Sequence, residues 1–238
     1  MFSNQKSSIM HYKPFFLLLV FIAVAFGSLE ARQKPDKDST KIVMNSYFGF
    51  IFRTIDFGAY NAQALALGYP SFPNELGGFT LNFRTQKEGK RLSGLSSFSF
   101  FSPFTTSNNG VFTSSFRGFG FHFALGYDLI QTAKVRLYPT VGVGVVYLVL
   151  QNSPNTNLAT LYGGNPPRGN QLASWQANPM VQLNADWKIG KKWGLNAAAG
   201  YSIPDFTATW RNGAAKVDGF PTLNLNGIYS QIGMVFYP

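Results

Sequence analysis

Residues 111–151 repeat one pattern, a bulky apolar side chain followed by a small or polar one. Phe119, Phe121, Phe123, Leu125, Tyr127 and Leu129 share one parity, and Gly118, Gly120, His122, Ala124, Gly126 and Asp128 share the other. Successive side chains of a strand point to opposite faces, so a period of two predicts a strand with one greasy face and one polar face. A helix, with its period of 3.6, would scatter the same phenylalanines around its whole surface.

The pattern recurs along the chain. Val135 to Tyr147 alternate with Arg136, Tyr138, Thr140, Gly142 and Gly144, and Val181 to Ile189 alternate with Gln182, Asn184, Asp186 and Lys188. Trp193 to Tyr201 alternate with Asn196, Ala198, Gly200 and Ser202, and Ile228 to Phe236 with Tyr229, Gln231, Gly233 and Val235. Three earlier stretches are less regular. They centre on Phe48–Phe52 (with Arg53), on Phe79–Phe83 (with Arg84) and on Phe98–Phe100, where Phe101 breaks the pattern. Eight strands result, and a ten-strand division of residues 41–110 stays open. The connections alternate in length. Those near Lys87–Arg91, Gln131–Ala133 and Gly190–Lys192 are short, whereas Phe57–Leu76, Thr105–Gly110, Asn152–Gln171 and Asp205–Leu225 are mostly longer. Short turns at one end and longer loops at the other predict an all-β, antiparallel, up-and-down barrel. Asn61–Leu67, stopped by Gly68-Tyr69-Pro70, predicts a short helix in the first loop.

Which face points outward decides between a soluble barrel and one in a membrane. A soluble barrel is lined with apolar side chains. Here the second face holds Asn, Gln, Arg, Asp and many glycines, which suit the crowded inside of a narrow barrel. The Phe/Val/Trp face therefore points out, into lipid. Only 13% of the 238 residues are charged and 16% are aromatic, Phe and Gly numbering 24 each, which fits strands at a lipid boundary. Tyr127, Tyr147, Trp187 and Trp193 lie on the apolar face at positions expected for an interfacial girdle.

The N-terminus carries an address. Lys6 and Lys13 precede the apolar run Phe15–Phe26, whose 12 residues are followed by small ones. A spanning helix needs about 20, so residues 1–31 are read as a secretory signal peptide, 32–40 as a flexible periplasmic lead-in and 41–238 as the barrel. Placement in the bacterial outer membrane follows. The chain has no cysteine, which excludes disulfides, thiol catalysis and cysteine metal sites. Its net charge of +10 is dispersed among turns such as Lys87–Arg91 and Lys191–Lys192 rather than gathered in a stripe, so nucleic acid is not an expected partner.

This arrangement resembles the small outer-membrane β-barrel family of Gram-negative bacteria, the OmpX/OmpA-barrel-like group. The resemblance covers residues 41–238 as pattern more than as identity. Its most specific piece is Gln231-Ile232-Gly233-Met234-Val235-Phe236-Tyr237-Pro238, similar to the C-terminal sorting signal read by the barrel-assembly machinery through Gln231, Gly233 and Phe236. Pro238 stands where the family has a terminal aromatic. The implied partners are outer-membrane lipid and lipopolysaccharide, the assembly machinery, and an extracellular or periplasmic protein.

Candidate chemistry is sparse. His122 falls on the polar, lumenal parity, away from where the lipid-modifying barrels carry a catalytic histidine. Asp128 and Arg136 lie at similar distances from the turn near Thr132 and are expected to pair across it. With Arg53, Arg84, Asp186 and Lys188 they predict a polar lumen network that fills the barrel, because an eight-stranded interior is just filled by its side chains. Strands four and five are expected to span 111–129 and 134–151, long enough to project beyond the bilayer and offer edges to a partner. Arg117 is read as outward near the outer rim, facing a lipopolysaccharide phosphate or simply solvent. Gly163-Gly164-Asn165-Pro166-Pro167 lacks the Gly-Lys-Ser/Thr of a phosphate loop. No catalytic residue, metal ligand or cofactor is expected. The expected function is that of a structural or partner-binding barrel. Two alternatives are a narrow transporter of small apolar molecules, favoured by a lateral opening with an apolar lumen pocket, and a lipid-A-modifying enzyme.

Overall fold

The computed structural model describes residues 41–104, 107–155, 170–203, 209–221, 223, 225 and 227–238. The expected signal peptide, the lead-in and the Gly163–Pro167 run lie outside the described residues.

Eight strands form one closed antiparallel barrel. They are β1 (Ile42–Thr54), β2 (Glu75–Lys87), β3 (Leu92–Pro103), β4 (Phe112–Tyr127), β5 (Val135–Pro154), β6, β7 (Trp193–Ser202) and β8 (Gly227–Phe236). Strand β6 runs in two stretches, Asn170–Ala177 and Met180–Lys188. Each strand pairs with the next, and β8 returns to β1 from Ser46↔Phe236 to Arg53↔Tyr229. Closure leaves no open edge along the barrel wall, the condition for a sheet to sit in hydrocarbon. The ten-strand division of residues 41–110 is thereby excluded, since β1, β2 and β3 account for the barrel wall there.

Strand β6 begins at Asn170, eleven residues before the clean alternation that starts at Val181. Both stretches hold a single register on β5, with Val145↔Ala177 and Gly142↔Met180. Between them Asn178 exchanges both backbone bonds with Gly144 (2.9 and 3.1 Å). Only Pro179 interrupts the ladder, because it has no N–H to donate. Strands β4 and β5 are long, at 16 and 20 residues. Two-residue and three-residue strands, Ser107–Asn108 on β4 and Trp210–Asn212 on the first stretch of β6, widen the wall at the long-loop end, and Ala215–Lys216 pairs back onto Trp210–Asn212.

Burial follows the alternation. In β1, Asn45, Tyr47, Ile51 and Arg53 are buried while Phe48, Phe50 and Phe52 are exposed. A band of exposed Phe, Val, Leu and Trp this large is stable only against lipid. Its aromatics are in register: Phe50, Phe79, Phe100, Phe119, Tyr147 and Trp175 are successive direct partners across β1 to β6. Centroids lie 5.3 Å apart for Phe79–Phe100, 5.1 Å for Phe100–Phe119 and 4.6 Å for Tyr147–Trp175. Inside, small residues are obligatory where the wall is crowded. A Cβ on Gly144 would stand 2.4 Å from the Phe121 carbonyl oxygen and 2.2 Å from the His122 ring.

The interior changes character along the axis. Near the short-turn end it is polar. At the long-loop end it is an apolar core of Ile55, Phe57, Phe72, Leu76, Phe101, Phe116, Val146, Leu148, Leu150, Trp210, Leu223 and Leu225. Phe101, the residue that seemed to break the alternation of β3, keeps parity and points into this core. Helix α1 (Gly58–Ala66) in the first loop supplies Tyr60 and Ala64 to it.

Candidate functional site

The lumen is where most of the buried charge lies. Arg84 is fully buried, as is its partner Asp128. Its Nη2 donates to Asp128 Oδ1 (2.5 Å), its Nε donates to Ser93 Oγ (3.0 Å), and its guanidinium lies 4.1 Å from the Tyr138 ring centroid. Gln86 Nε2 donates to the second Asp128 oxygen (2.8 Å). Asp186 accepts from Tyr47 OH (3.0 Å) and Asn196 Nδ2 (2.8 Å). Both buried carboxylates thus hold two or more donors, as a low-dielectric interior demands.

The expected Asp128–Arg136 pair does not form. Asp128 lies just beyond β4, and its N–H donates to Arg91 O (2.9 Å). That bond turns it toward the β2–β3 side, where Arg84 takes its carboxylate. Arg136 stands opposite Asp186 in the ladder, with its guanidinium 6.0 Å from the Tyr237 ring; Lys188 Nζ lies 4.9 Å from the same ring. Burial first, then Asp186, pushes the Tyr237 hydroxyl up to about 12, so a neutral phenol faces both cations at the short-turn mouth.

His122 points inward. Its Nε2 lies 2.7 Å from Asn178 Nδ2, and no serine–carboxylate pair accompanies it among the described residues. Arg53 is buried higher up. Its Nη2 donates to Ser202 Oγ, and its guanidinium sits between the rings of Phe101 (5.3 Å) and Tyr229 (5.2 Å). The expected network therefore divides: Arg84 and Asp128 meet, Arg136 and Lys188 share Tyr237, and Arg53 and His122 are held separately. The apolar loop-end core was not expected. Val146, Leu148 and Leu150 carry the lumenal parity of β5 into its outer third, but with apolar side chains on both faces the alternation no longer shows which face is inside.

Among the described residues, the wall is interrupted at this end between β3 and β4. The β3–β4 ladder stops at Phe101↔Gly118 and pairing onto β4 resumes only at Ser107↔Ser114. After Pro103 the chain turns back over β2: Phe104 packs on Phe52 (6.0 Å), and a Cβ on Gly77 would strike its ring at 2.1 Å. A cavity of about 170 Å³ opens at the break, lined by Phe72, Ser102, Pro103 and Ser114–Arg117. Phe72 and Phe116 belong to the apolar core, so the cavity reaches it from the wall.

The girdle positions fall at the two rims. Trp187 and Trp193 are exposed on either side of the Ile189–Lys192 turn, Tyr127 ends β4 half-buried, and Tyr147 stacks on Trp175, an exposed partner that lay in an unassigned stretch. Gln231 and Gly233 lie on β8 facing inward and Phe236 faces out.

Comparison with solved structures recovers the same barrel. Ail, the attachment invasion locus protein of Yersinia pestis, in complex with the heparin analogue sucrose octasulfate, superposes with a TM-score of 0.50 at 9% identity, covering 83% of this chain and 99% of that one. A major outer membrane protein from Thermus thermophilus gives 0.50 at 8% identity, covering 82% and 99%. This is the fold of the small eight-stranded outer-membrane barrels. The Escherichia coli outer membrane protein W is also similar, with 17% identity, a TM-score of 0.42 and coverage of 82% and 97%. No protein-family model matches the chain, and no curated protein sequence does.

Proposed function

We propose that this chain is an outer-membrane barrel without an open aqueous pore and without an enzymatic centre, acting through its extracellular face on an envelope or extracellular partner. The observation that carries the reading is the double filling of the lumen. The Arg84–Asp128 and Tyr47–Asp186 network occupies the short-turn half, and the core around Phe57 and Phe116 occupies the mouth. Between them the cavities beside His122 are about 20 Å³ each, room for single water molecules.

The long-loop end has the features of a contact surface. Beyond the girdle, β4, β5 and β6 continue outward, and the Trp210–Lys216 hairpin of the last loop pairs onto the first stretch of β6; its Arg211 and Lys216 are direct cross-strand partners and exposed. Lys216 Nζ lies 3.2 Å from the exposed Asp218 Oδ1, and with Arg211 beside it the hairpin keeps a net positive face, which favours an anionic partner. The complex of Ail with a sulfated sugar makes sucrose octasulfate a reasonable probe. Planar-bilayer recordings of the refolded protein are expected to show no conductance at general-porin level. Calorimetry is expected to show sucrose octasulfate binding that R211A/K216A abolishes. Porin-level conductance would refute the first half of the reading, and unchanged binding by the double variant, or none by the wild type, the second.

One observation favours a second reading, passage of small apolar molecules. The break between β3 and β4 joins the apolar core to the lipid-facing wall, a lateral route that does not require the polar half to open. Faster uptake of an apolar dye into proteoliposomes than into empty liposomes, lost in S115W, supports it; equal rates refute it.

A further inference from the structure

Arg53 is a deeply buried cation with no carboxylate beside it among the described residues. Its side chain is 5% exposed, within the barrel and beneath the apolar core. Ser202 Oγ accepts one of its N–H groups, and Phe101 and Tyr229 cover its two faces. Among the described residues no carboxylate lies within ion-pair distance, and the two buried ones, Asp128 and Asp186, are already held by Arg84 and by Tyr47 with Asn196. A buried cation without a counter-charge is costly in a medium of low dielectric.

Beside it lies a cavity of about 20 Å³, lined by Arg53, Ser99, His122, Gln182, Tyr229 and Gln231 among others, with no carboxylate. Most of its polar groups are engaged. Tyr229 OH donates to Gln182 Oε1 (2.9 Å), Gln182 Nε2 to Asn184, and Gln231 Nε2 to Asn196. Ser99 is the exception. It is 8% exposed, and its Oγ has no hydrogen-bond partner among the described residues. A buried hydroxyl normally finds one.

One occupant answers both deficits. A water molecule would accept from Ser99 but leave the charge of Arg53 uncompensated. A carboxylate or phosphate is larger than a space for one water-sized sphere. We propose that this cavity is a halide site, with chloride as the buried counter-ion of Arg53 and acceptor for the Ser99 hydroxyl. The apolar core lies above the site and the Arg84 network below it, so the ion acts as part of the folded barrel.

The test uses the protein refolded in detergent micelles, with urea unfolding followed in sodium chloride and in sodium gluconate of equal ionic strength. Gluconate is too large for the cavity. The midpoint is expected to rise saturably with chloride and not with gluconate. In S99A the half-saturating chloride should rise by more than about tenfold, the loss of one hydrogen bond to a charged group. In R53M the chloride response should vanish. Crystals grown in bromide should show an anomalous peak beside Arg53. Equal midpoints in the two salts, a chloride response that survives R53M, or no bromide peak would each overturn the proposal. So would a D205N variant that matches the instability of R53M while chloride has no effect, because that carboxylate, three positions past Ser202 in sequence, would then be the counter-ion.

Discussion

Removing the Asp128 carboxylate measures how much the polar half of the lumen depends on pairing. In D128A, Arg84 keeps its bond to Ser93 and its contact with the Tyr138 ring, but Nη2 loses its acceptor and Gln86 loses a partner. Nη1 already lacks one. Breaking a buried pair by removing one member costs about 3–5 kcal/mol, because the remaining charge is left uncompensated. The cation–π contact, up to about 2 kcal/mol when desolvated, survives and places the cost toward the low end of that range. A loss of about 3 kcal/mol shifts the folding equilibrium by roughly two decades. Reversible urea unfolding in lipid vesicles, followed by tryptophan fluorescence, resolves a change of that size. The double variant R84L/D128L is expected to be more stable than D128A, since it removes the unpaired charge along with its partner. A D128A cost below about 1 kcal/mol, or a double variant no better than D128A, would show that water or a neighbouring group compensates Arg84, contrary to this reading.

Three further outcomes follow from the same geometry. G144V puts a branched side chain where a single Cβ already meets the Phe121 carbonyl at 2.4 Å, and should abolish the heat-modifiable gel mobility of the folded barrel; retained mobility refutes the close approach. F57A removes a fully buried ring packed 5.1 Å from both Phe72 and Phe116, and should cost about 3–5 kcal/mol and speed proteolysis at α1; protease resistance like the wild type's would mean that the loop-end core does not depend on this ring. Lipids brominated near the headgroup should quench single-tryptophan versions retaining Trp187 or Trp193 more than one retaining Trp210, which is 3% exposed in the core; equal quenching would contradict the outward placement of the girdle.

The barrel was legible because its signal is global. Every strand needs one lipid face and one lumenal face, so alternation and loop lengths carried the topology without any specific contact. Individual partners were not legible in this way. Asp128 and Arg136 look paired on a linear hairpin, yet a single backbone bond from Asp128 to Arg91 redirects the carboxylate to Arg84, 44 positions away. The first stretch of β6 was missed for a different reason. Around Trp175 polar and apolar residues fall on both parities, because the strand there faces the apolar core on one side and the membrane rim on the other. Leu223 and Leu225 enter the lumen from a long loop, where no periodicity exists to place them.

The two halves of the lumen have opposite energetic logic. The polar half is rigid by pairing: its buried carboxylates, Asp128 and Asp186, are fixed by donors on other strands, and opening a path through it would strand Arg84 or Asp186 without compensation. The apolar half is held by burial, which is non-directional and tolerates rearrangement as long as water stays out. Much of it also comes from loops, with Phe57 and Phe72 in the first and Trp210, Leu223 and Leu225 in the last. Movement is therefore cheaper at the mouth and at the β3–β4 break than along the axis. On the proposed reading, a molecule that enters this barrel meets an apolar mouth above a closed polar floor. That arrangement favours contact at the surface or exit through the wall over passage from end to end.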